Sequence, residues 1–304
     1  MKIGKKSKLK TSPLVNPYWA ILATLPALIS IFFLAMLPSL VNLGISFTNY
    51  HGVNQPFEFV GFDNFIKVFS LRNSYVTIWQ ALLNTLTFSV FVVFIQQPLS
   101  LGVALILAKK SKFNSCFRAL FFLPTILGVS VVGFTWQLML DPVSGPIARI
   151  LAQIGHSSAL LGQNGTSMAL VIMVAIWSNF GYAMVVYIAG LQNISEDVKE
   201  AAELDGATGF TLLRLIILPL LKNTLVINFW ISISGTLAMF DIIYVLTDGT
   251  AGTTTLALYI FKMATNSSSN QGQAAALNIY FSLFIIIVMI IFNAVFRRKE
   301  KVDE

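Results

Sequence analysis

Long apolar runs broken by short basic or polar stretches dominate this chain. Six of them are long enough for an α-helix to cross a bilayer, which takes about 20 apolar residues. They cover residues 19–40, 83–107, 119–140, 168–189, 224–246 and 274–296. Residues 73–108 carry no charge, so the second span has room to begin earlier. No heptad array, internal repeat or Pro-rich linker interrupts the series, and 267–269 within Asn266 to Gly272 read as a polar external loop. The pattern predicts an all-α, polytopic membrane protein with six transmembrane helices.

Composition agrees with that pattern. Hydrophobic residues make up 56% of the chain and charged residues 11%, with mean hydropathy +0.77, against about 25% charged in soluble domains. The net charge of +7 would suit nucleic acid if the bases formed one patch. They flank the apolar runs instead, which favours the membrane surface and no nucleic-acid partner.

Lysine and arginine placement orients the spans. One side collects Lys2, Lys5, Lys6, Lys8, Lys10, Lys109, Lys110, Lys112, Arg118, Lys199, Arg214, Lys222, Arg297, Arg298, Lys299 and Lys301, 16 residues in all. The other has Lys67, Arg72, Arg149 and Lys262. Six crossings then put both termini and the loop around Glu200 in the cytoplasm. The first apolar region, 19–47, is too long for a signal peptide's short core, so it reads as an uncleaved span.

One cytoplasmic connection departs from the oily background. Glu196, Asp197, Glu200, Glu203 and Asp205 are five of the 13 acids of the chain. Ser195 fits an N-cap, with Glu196 and Asp197 in the first turn of a helix; Val198 leaves the capping box incomplete. Gly206 suits a left-handed helix stop. A second helix over 209–217 then leads to Pro219, placed for the first turn of the next membrane helix. Ala201 and Ala202 are small enough for a partner to approach the backbone. Glu200 and Glu203 offer carboxylates to basic side chains. A helix–turn–helix of this kind predicts a docking elbow for a soluble partner.

The spacing Glu200-Ala201-Ala202, three residues, Gly206, nine residues, Ile216-x-Leu218-Pro219 resembles the signature loop of membrane subunits of binding-protein-dependent ABC importers. Ala189-Gly190-Leu191-Gln192, Asp205-Gly206-Ala207, Phe121-Phe122-Leu123-Pro124, the stretch from Phe59 to Phe65 and that from Phe240 to Thr247 look like the carbohydrate-transporting branch. The likeness runs from about residue 15 onward. It implies a permease subunit for a sugar or oligosaccharide, with a second permease, two ATPase subunits and an external sugar-binding protein as partners. It also implies that Glu200 and Gly206 carry most of the coupling, with ATP bound by the ATPases. At Asp248-Gly249-Thr250 the chain departs from the Gly-Gly-Pro many carbohydrate permeases have, which leaves docking detail and substrate open. These readings divide the chain into a basic segment (1–18), a permease domain (19–296) containing the coupling loop (193–221), and a tail (297–304).

Polar groups inside a bilayer are costly and point to function. Asn228, Ser232, Gly235 and Met239 share one stripe of the fifth span, with Asp241 near its outer end. The stripe suits sugar hydroxyls. It equally suits helix packing, with Asn and Ser bonding neighbours and Gly235 allowing close approach. Asn179 and Tyr182 in the fourth span, and Gln96 and Gln97 in the second, are weaker candidates of the same kind.

Several chemistries find no support. The chain lacks a G-x-x-x-x-G-K-[ST] phosphate loop and a G-x-S-x-G elbow. His51, His156 and the single Cys116 are too scattered for a metal site. The expectation is a transport subunit without enzyme activity, cofactor or metal. Import of a glycerol phosphate by the same architecture is the alternative, disfavoured by spans without central Lys or Arg. An ion-coupled secondary transporter would need no docking elbow, and a scaffold protein would leave Glu200 without influence on uptake.

Overall fold

The computed structural model describes residues 17–52, 55–70, 76–153, 160–266 and 270–297. The calls on Lys2 to Lys10, Arg72, His156, 267–269, Arg298, Lys299 and Lys301 lie outside these residues. Helices account for nearly all the order; an isolated bridge, Thr48 to Phe59, is the one pairing of extended backbone among the described residues.

Thirteen helices are numbered in chain order: α1 (Leu22–Ile45), α2 (Asp63–Lys67), α3 (Ile78–Leu107), α4 (Lys112–Ile126), α5 (Val129–Met139), α6 (Pro146–Gln153), α7 (Thr166–Gln192), α8 (Glu196–Leu204), α9 (Gly209–Leu220), α10 (Lys222–Ala238), α11 (Asp241–Thr247), α12 (Leu256–Thr265) and α13 (Gln271–Arg297). Four of them, α1, α3, α7 and α13, are long and apolar enough to cross a membrane alone. Counting each of two bent pairs, α4 with α5 and α9 with α10, as one span gives up to six by length and composition.

The longest helices form the centre. α3 packs along α7, and both receive α10. Phe88 and Val92 of α3 meet Val171, Val174 and Ala175 of α7, with Ile243 of α11 and Leu258 of α12 completing a fully buried cluster. α4 crosses α7 closely because residue 181 is glycine: a Cβ there would lie 2.2 Å from the Phe121 carbonyl oxygen. In contrast, α1 buries none of its described residues and packs through residues 37–45 against α13. Its side chains are suited to lipid or to another subunit.

Two spans differ from the continuous helices expected. The third bends by 93° between α4 and α5. Leu127 and Gly128 are extended there (ψ 137° and 142°), so the backbone bonds across them are lost. Glycine's poor helix propensity and Pro124 just upstream explain why the break falls here. The fifth span is interrupted at Met239 and Phe240, between α10 and α11. Its 17-residue α10 is about 26 Å long at 1.5 Å per residue, a little short of a hydrocarbon core of about 30 Å. The short apolar helix α12, absent from the expected spans, packs between α3 and α13.

Pro219 also sits differently. It belongs to α9, and the axis turns by 72° before α10 begins at Lys222. The pivot is Leu221, buried to 1% exposure. Proline supplies no N–H at the end of α9, which helps the helix stop before the turn.

Candidate functional site

Two constructions answer the sequence expectations: a cavity between α3, α7 and α10 bordered by amide and hydroxyl side chains, and the exposed elbow at one end.

The stripe on α10 and the polar residues of α3 and α7 converge. Gln96, Asn179, Tyr182, Asn228, Ser232, Gly235, Thr236 and Met239 line one cavity of about 130 Å³. The three helices bond directly behind it. The Asn228 amide donates to the Ala183 carbonyl (2.9 Å), the Gln97 amide reaches the Asn228 carbonyl (3.4 Å), and Ser100 donates to the Phe180 carbonyl (3.0 Å). The Tyr187 hydroxyl donates to the Gln97 side-chain oxygen. Thus Gln97 is a packing residue, whereas Gln96 faces the cavity. Asn228 does both: its amide group joins α10 to α7 at the cavity wall.

Gly235 separates the two readings of the stripe. A Cβ there would meet nothing within 4 Å, so within this chain the glycine widens the cavity and leaves no close helix crossing. Ser232 lies on the same wall, and Thr236, one turn further, extends it. Sequence spacing from Ser232 could have included Thr236.

Asp241 occupies an adjoining cavity of about 190 Å³, with Thr125, Leu127, Ser178, Asn179 and Met239. Asn179 and Met239 line both cavities, so the two are neighbours. Both helix breaks, at Leu127–Gly128 and Met239–Phe240, open onto this region. Irregular backbone at membrane depth persists where it borders a cavity, because its freed polar groups find partners there. The Asp241 carboxylate accepts from the Ile242 N–H (2.9 Å), and Thr125 donates to the Ser178 carbonyl (2.8 Å). Thr125 and Ser178 enter the site only through the 93° bend, a feature without a linear signature. Neither cavity is lined by lysine or arginine.

The elbow forms as a helix, a left-handed turn and a second helix. α8 ends in a double-bonded stop: the Ala207 N–H reaches the Ala202 carbonyl (2.9 Å) and the Gly206 N–H the Glu203 carbonyl (3.0 Å). This arrangement requires Gly206 at φ 86°, a region costly for residues with a Cβ. Ser195 holds the N-cap position in extended conformation, yet its hydroxyl makes no capping bond. Lys199 instead pairs with Glu196 at 3.1 Å on the same helix.

Exposure sorts the elbow residues. Glu200, Ala201, Glu203, Asp205 and Gly206 are open, as is Pro219; Ile216 and Leu218 are half-buried. Ala202 is buried, so its small side chain serves packing beneath the elbow and Ala201 alone presents a low profile outward. Sequence reasoning passed over Leu204 and Phe210, which stand 89% and 74% exposed on either side of Gly206. Two large apolar side chains inside an acidic stretch were the available signal.

The elbow is fastened to the bundle. Ile194 before it and Ile217 and Leu221 after it join Ala104, Leu107, Met184, Tyr187 and Leu191 in a buried cluster. Residue 190 must be small there, since a Cβ would sit 2.5 Å from the Thr224 hydroxyl. The end of α3 in this cluster is closed by Arg118, whose guanidinium donates to the carbonyls of Leu107, Ala108 and Lys109. The elbow therefore packs on the ends of α3, α7 and α10, the three helices that wall the cavity.

Comparison with known proteins shows the family of the chain. The family described as binding-protein-dependent transport system inner membrane component matches residues 98–301. A probable starch degradation products transport system permease protein, AmyD of Thermoanaerobacterium thermosulfurigenes, is 29% identical, covering 90% of this chain and 91% of that protein. The lactose transport system permease protein LacF of Rhizobium radiobacter is 32% identical, covering 95% of each. A chain in the crystal structure of a bacterial alginate ABC transporter, in complex with an alginate pentasaccharide-bound periplasmic protein, shares the fold. Its TM-score is 0.79 at 23% identity, over 93% of this chain and 95% of that one.

Proposed function

The chain belongs to the family of binding-protein-dependent transport system inner membrane components, and from that premise we propose how it works. It is a multi-pass permease subunit of a carbohydrate ABC importer, without an ATPase site of its own. ATP is bound and hydrolysed by separate subunits. We place the chain in the cytoplasmic membrane, with both termini and the elbow inside. Its partners are a second permease, two ATPases and an external sugar-binding protein.

The observation that carries the mechanism is the continuity from elbow to cavity. Leu204 and Phe210 offer apolar anchors to an ATPase groove, and Glu200 and Glu203 offer carboxylates to its basic side chains. ATPase closure moves α8 and α9 together. The buried cluster around Leu221 passes that motion to α3, α7 and α10. The cavity between those helices is then opened alternately to either side. Net transport requires that sugar affinity differ between the two states.

The cavity favours an uncharged, hydroxylated substrate. Amide and hydroxyl groups of Gln96, Asn179, Ser232 and Thr236 stand beside the apolar surfaces of Val92 and Ile231, and lysine and arginine are absent from the lining. A phosphorylated substrate would call for such cations. The related permeases named above carry starch degradation products and lactose in their descriptions, in line with a neutral sugar.

The test is ATP-driven sugar uptake by the reconstituted complex. Glu200→Lys reverses a charge on the elbow, and Gly206→Pro forces φ from 86° to about −65°. Both are expected to abolish uptake while the subunit still inserts and co-purifies with its partner permease. Wild-type uptake by both variants refutes the coupling role.

A further inference from the structure

A third recess lies at the end of the bundle opposite the elbow. It has a volume of about 670 Å³ and is bordered by Gln80, Asn164, Asp248, Thr250, Thr254 and Lys262. It shares no lining residue with the two inner cavities. The loop forming its floor contains the Asp248-Gly249-Thr250 stretch, where the chain departs from its family's pattern.

This loop is strained and held rigid. Asp248 (φ 48°) and Ala251 (φ 50°) are, among the described residues, the two non-glycine residues in the left-handed region. Such strain persists only where the surroundings over-determine it, and it clusters at functional sites. The surroundings do so here. Asn84 of α3 donates to the Thr254 carbonyl (2.9 Å), and the Thr85 hydroxyl accepts the Leu256 N–H (2.8 Å). Thr247 and Thr253 share a hydroxyl bond of 2.6 Å, and Thr250 donates to the Thr247 carbonyl (2.6 Å).

Charge and hydrogen-bond capacity describe the occupant. Lys262 and Asp248 pair at 2.8 Å, so the recess offers both a donor and an acceptor at no net charge. The side-chain amides of Gln80 and Asn164 border the same space and are exposed. Gly252, at φ 76°, lies beside the Asn164 side chain at the rim. A prearranged set of amides, hydroxyls and a neutral ion pair matches a polyhydroxyl ligand, and the volume falls within the range of small-molecule sites, about 300–1,000 Å³.

We propose that this recess is a first binding site for an uncharged glycan unit on the outer side, separate from the inner cavity. The inference rests on the transport reading above, because the sugar must arrive from that side. Gln80, Asn164 and the Asp248–Lys262 pair bind the sugar hydroxyls, and the threonine-laced loop keeps them in place.

The experiment uses right-side-out vesicles holding the full complex without binding protein. Cys116→Ser removes the native thiol, and Ala251→Cys places a reporter on the recess at a side chain that makes no hydrogen bond. Val143→Cys, on an outer turn at 88% exposure, is the control. Labelling by an impermeant maleimide is followed with maltotriose, lactose or trigalacturonate at about 20 mM; a Kd of about 5 mM slows labelling about fivefold by occupancy. Maltotriose or lactose is expected to protect Ala251→Cys and not Val143→Cys, with protection lost in Gln80→Ala/Asn164→Ala. Protection should survive Glu200→Lys, which disables uptake, so the two readings fail separately. No protection by either neutral sugar, stronger protection by trigalacturonate, or protection only when binding protein is added overturns the site.

Discussion

Replacing Gly235 with leucine should stop transport without unfolding the protein, and Gly181 supplies the contrast. Both glycines lie inside membrane helices, so a larger residue gains about 0.5–1 kcal/mol of helix propensity at either position. Their surroundings differ. A Cβ at 235 meets nothing within 4 Å, and the residue borders a cavity of about 130 Å³. That space is close to the roughly 150 Å³ that accommodates benzene in an apolar cavity, so it admits about one sugar ring. Leucine's four side-chain carbons, each displacing on the order of one water of about 30 Å³, would fill most of it.

A Cβ at 181 instead lies 2.2 Å from the Phe121 carbonyl oxygen, against an ordinary contact of 3.4 Å or more. α4 and α7 must part by about an ångström, and overpacking of that kind costs about 1–3 kcal/mol. Gly181→Ala is therefore expected to lower the temperature at which the detergent-solubilised complex loses its fold. Gly235→Ala should leave it unchanged or slightly raised, with reduced uptake, and Gly235→Leu should abolish uptake while the complex still assembles. The assays are thermal unfolding of the purified complex, co-purification of the partner subunits and sugar uptake in proteoliposomes. Wild-type uptake by Gly235→Leu, or equal destabilisation at both glycines, refutes the assignment of the cavity.

Two further outcomes are expected from residues outside the spans. Arg118→Met leaves the carbonyls of Leu107, Ala108 and Lys109 without their guanidinium partner and should destabilise by about 1–3 kcal/mol, read as earlier thermal unfolding and weaker hydrogen-exchange protection around residue 107. The Asp141 carboxylate accepts from the N–H and hydroxyl of Ser144 and the N–H of Val143, which holds its pKa below the usual 3.8. Since the folded value is the lower one, this turn is supported above the ordinary aspartate range and loosens only as pH falls through the depressed value. Exchange at Val143 and Ser144 should thus be insensitive to pH-driven opening at pH 5, while Asp141→Ala, which removes the acceptor, opens the turn at that pH; opening of the wild type at pH 5 contradicts the sign.

Much of the site was legible because its signals are local. Gly206, the acids around it and the Ile216-x-Leu218-Pro219 ending specify an elbow through short-range turn chemistry, and the observed double-bonded stop follows from them. The stripe Asn228, Ser232, Gly235 was visible as helical periodicity. What periodicity left undecided was which neighbour each residue meets. Asn228 turned out to bond α7 while bordering the cavity, Gln97 packs where Gln96 lines, and Ala202 is buried where Ala201 is open. Leu204 and Phe210 escaped notice because single exposed apolar residues have meaning only once their surroundings are known.

By itself the sequence determined that the chain is helical, membrane-spanning and oriented with its elbow on the basic side. Those properties follow from the cost of burying unpaired backbone and charge in lipid, which acts on each segment separately. Only the tertiary structure decided that two spans break where the inner cavities lie, and that the elbow is bolted to the cavity walls through Leu221. Breaks and bolts depend on which carbonyl, glycine or side chain another helix brings alongside. That is a property of the packed bundle and of no single stretch of residues.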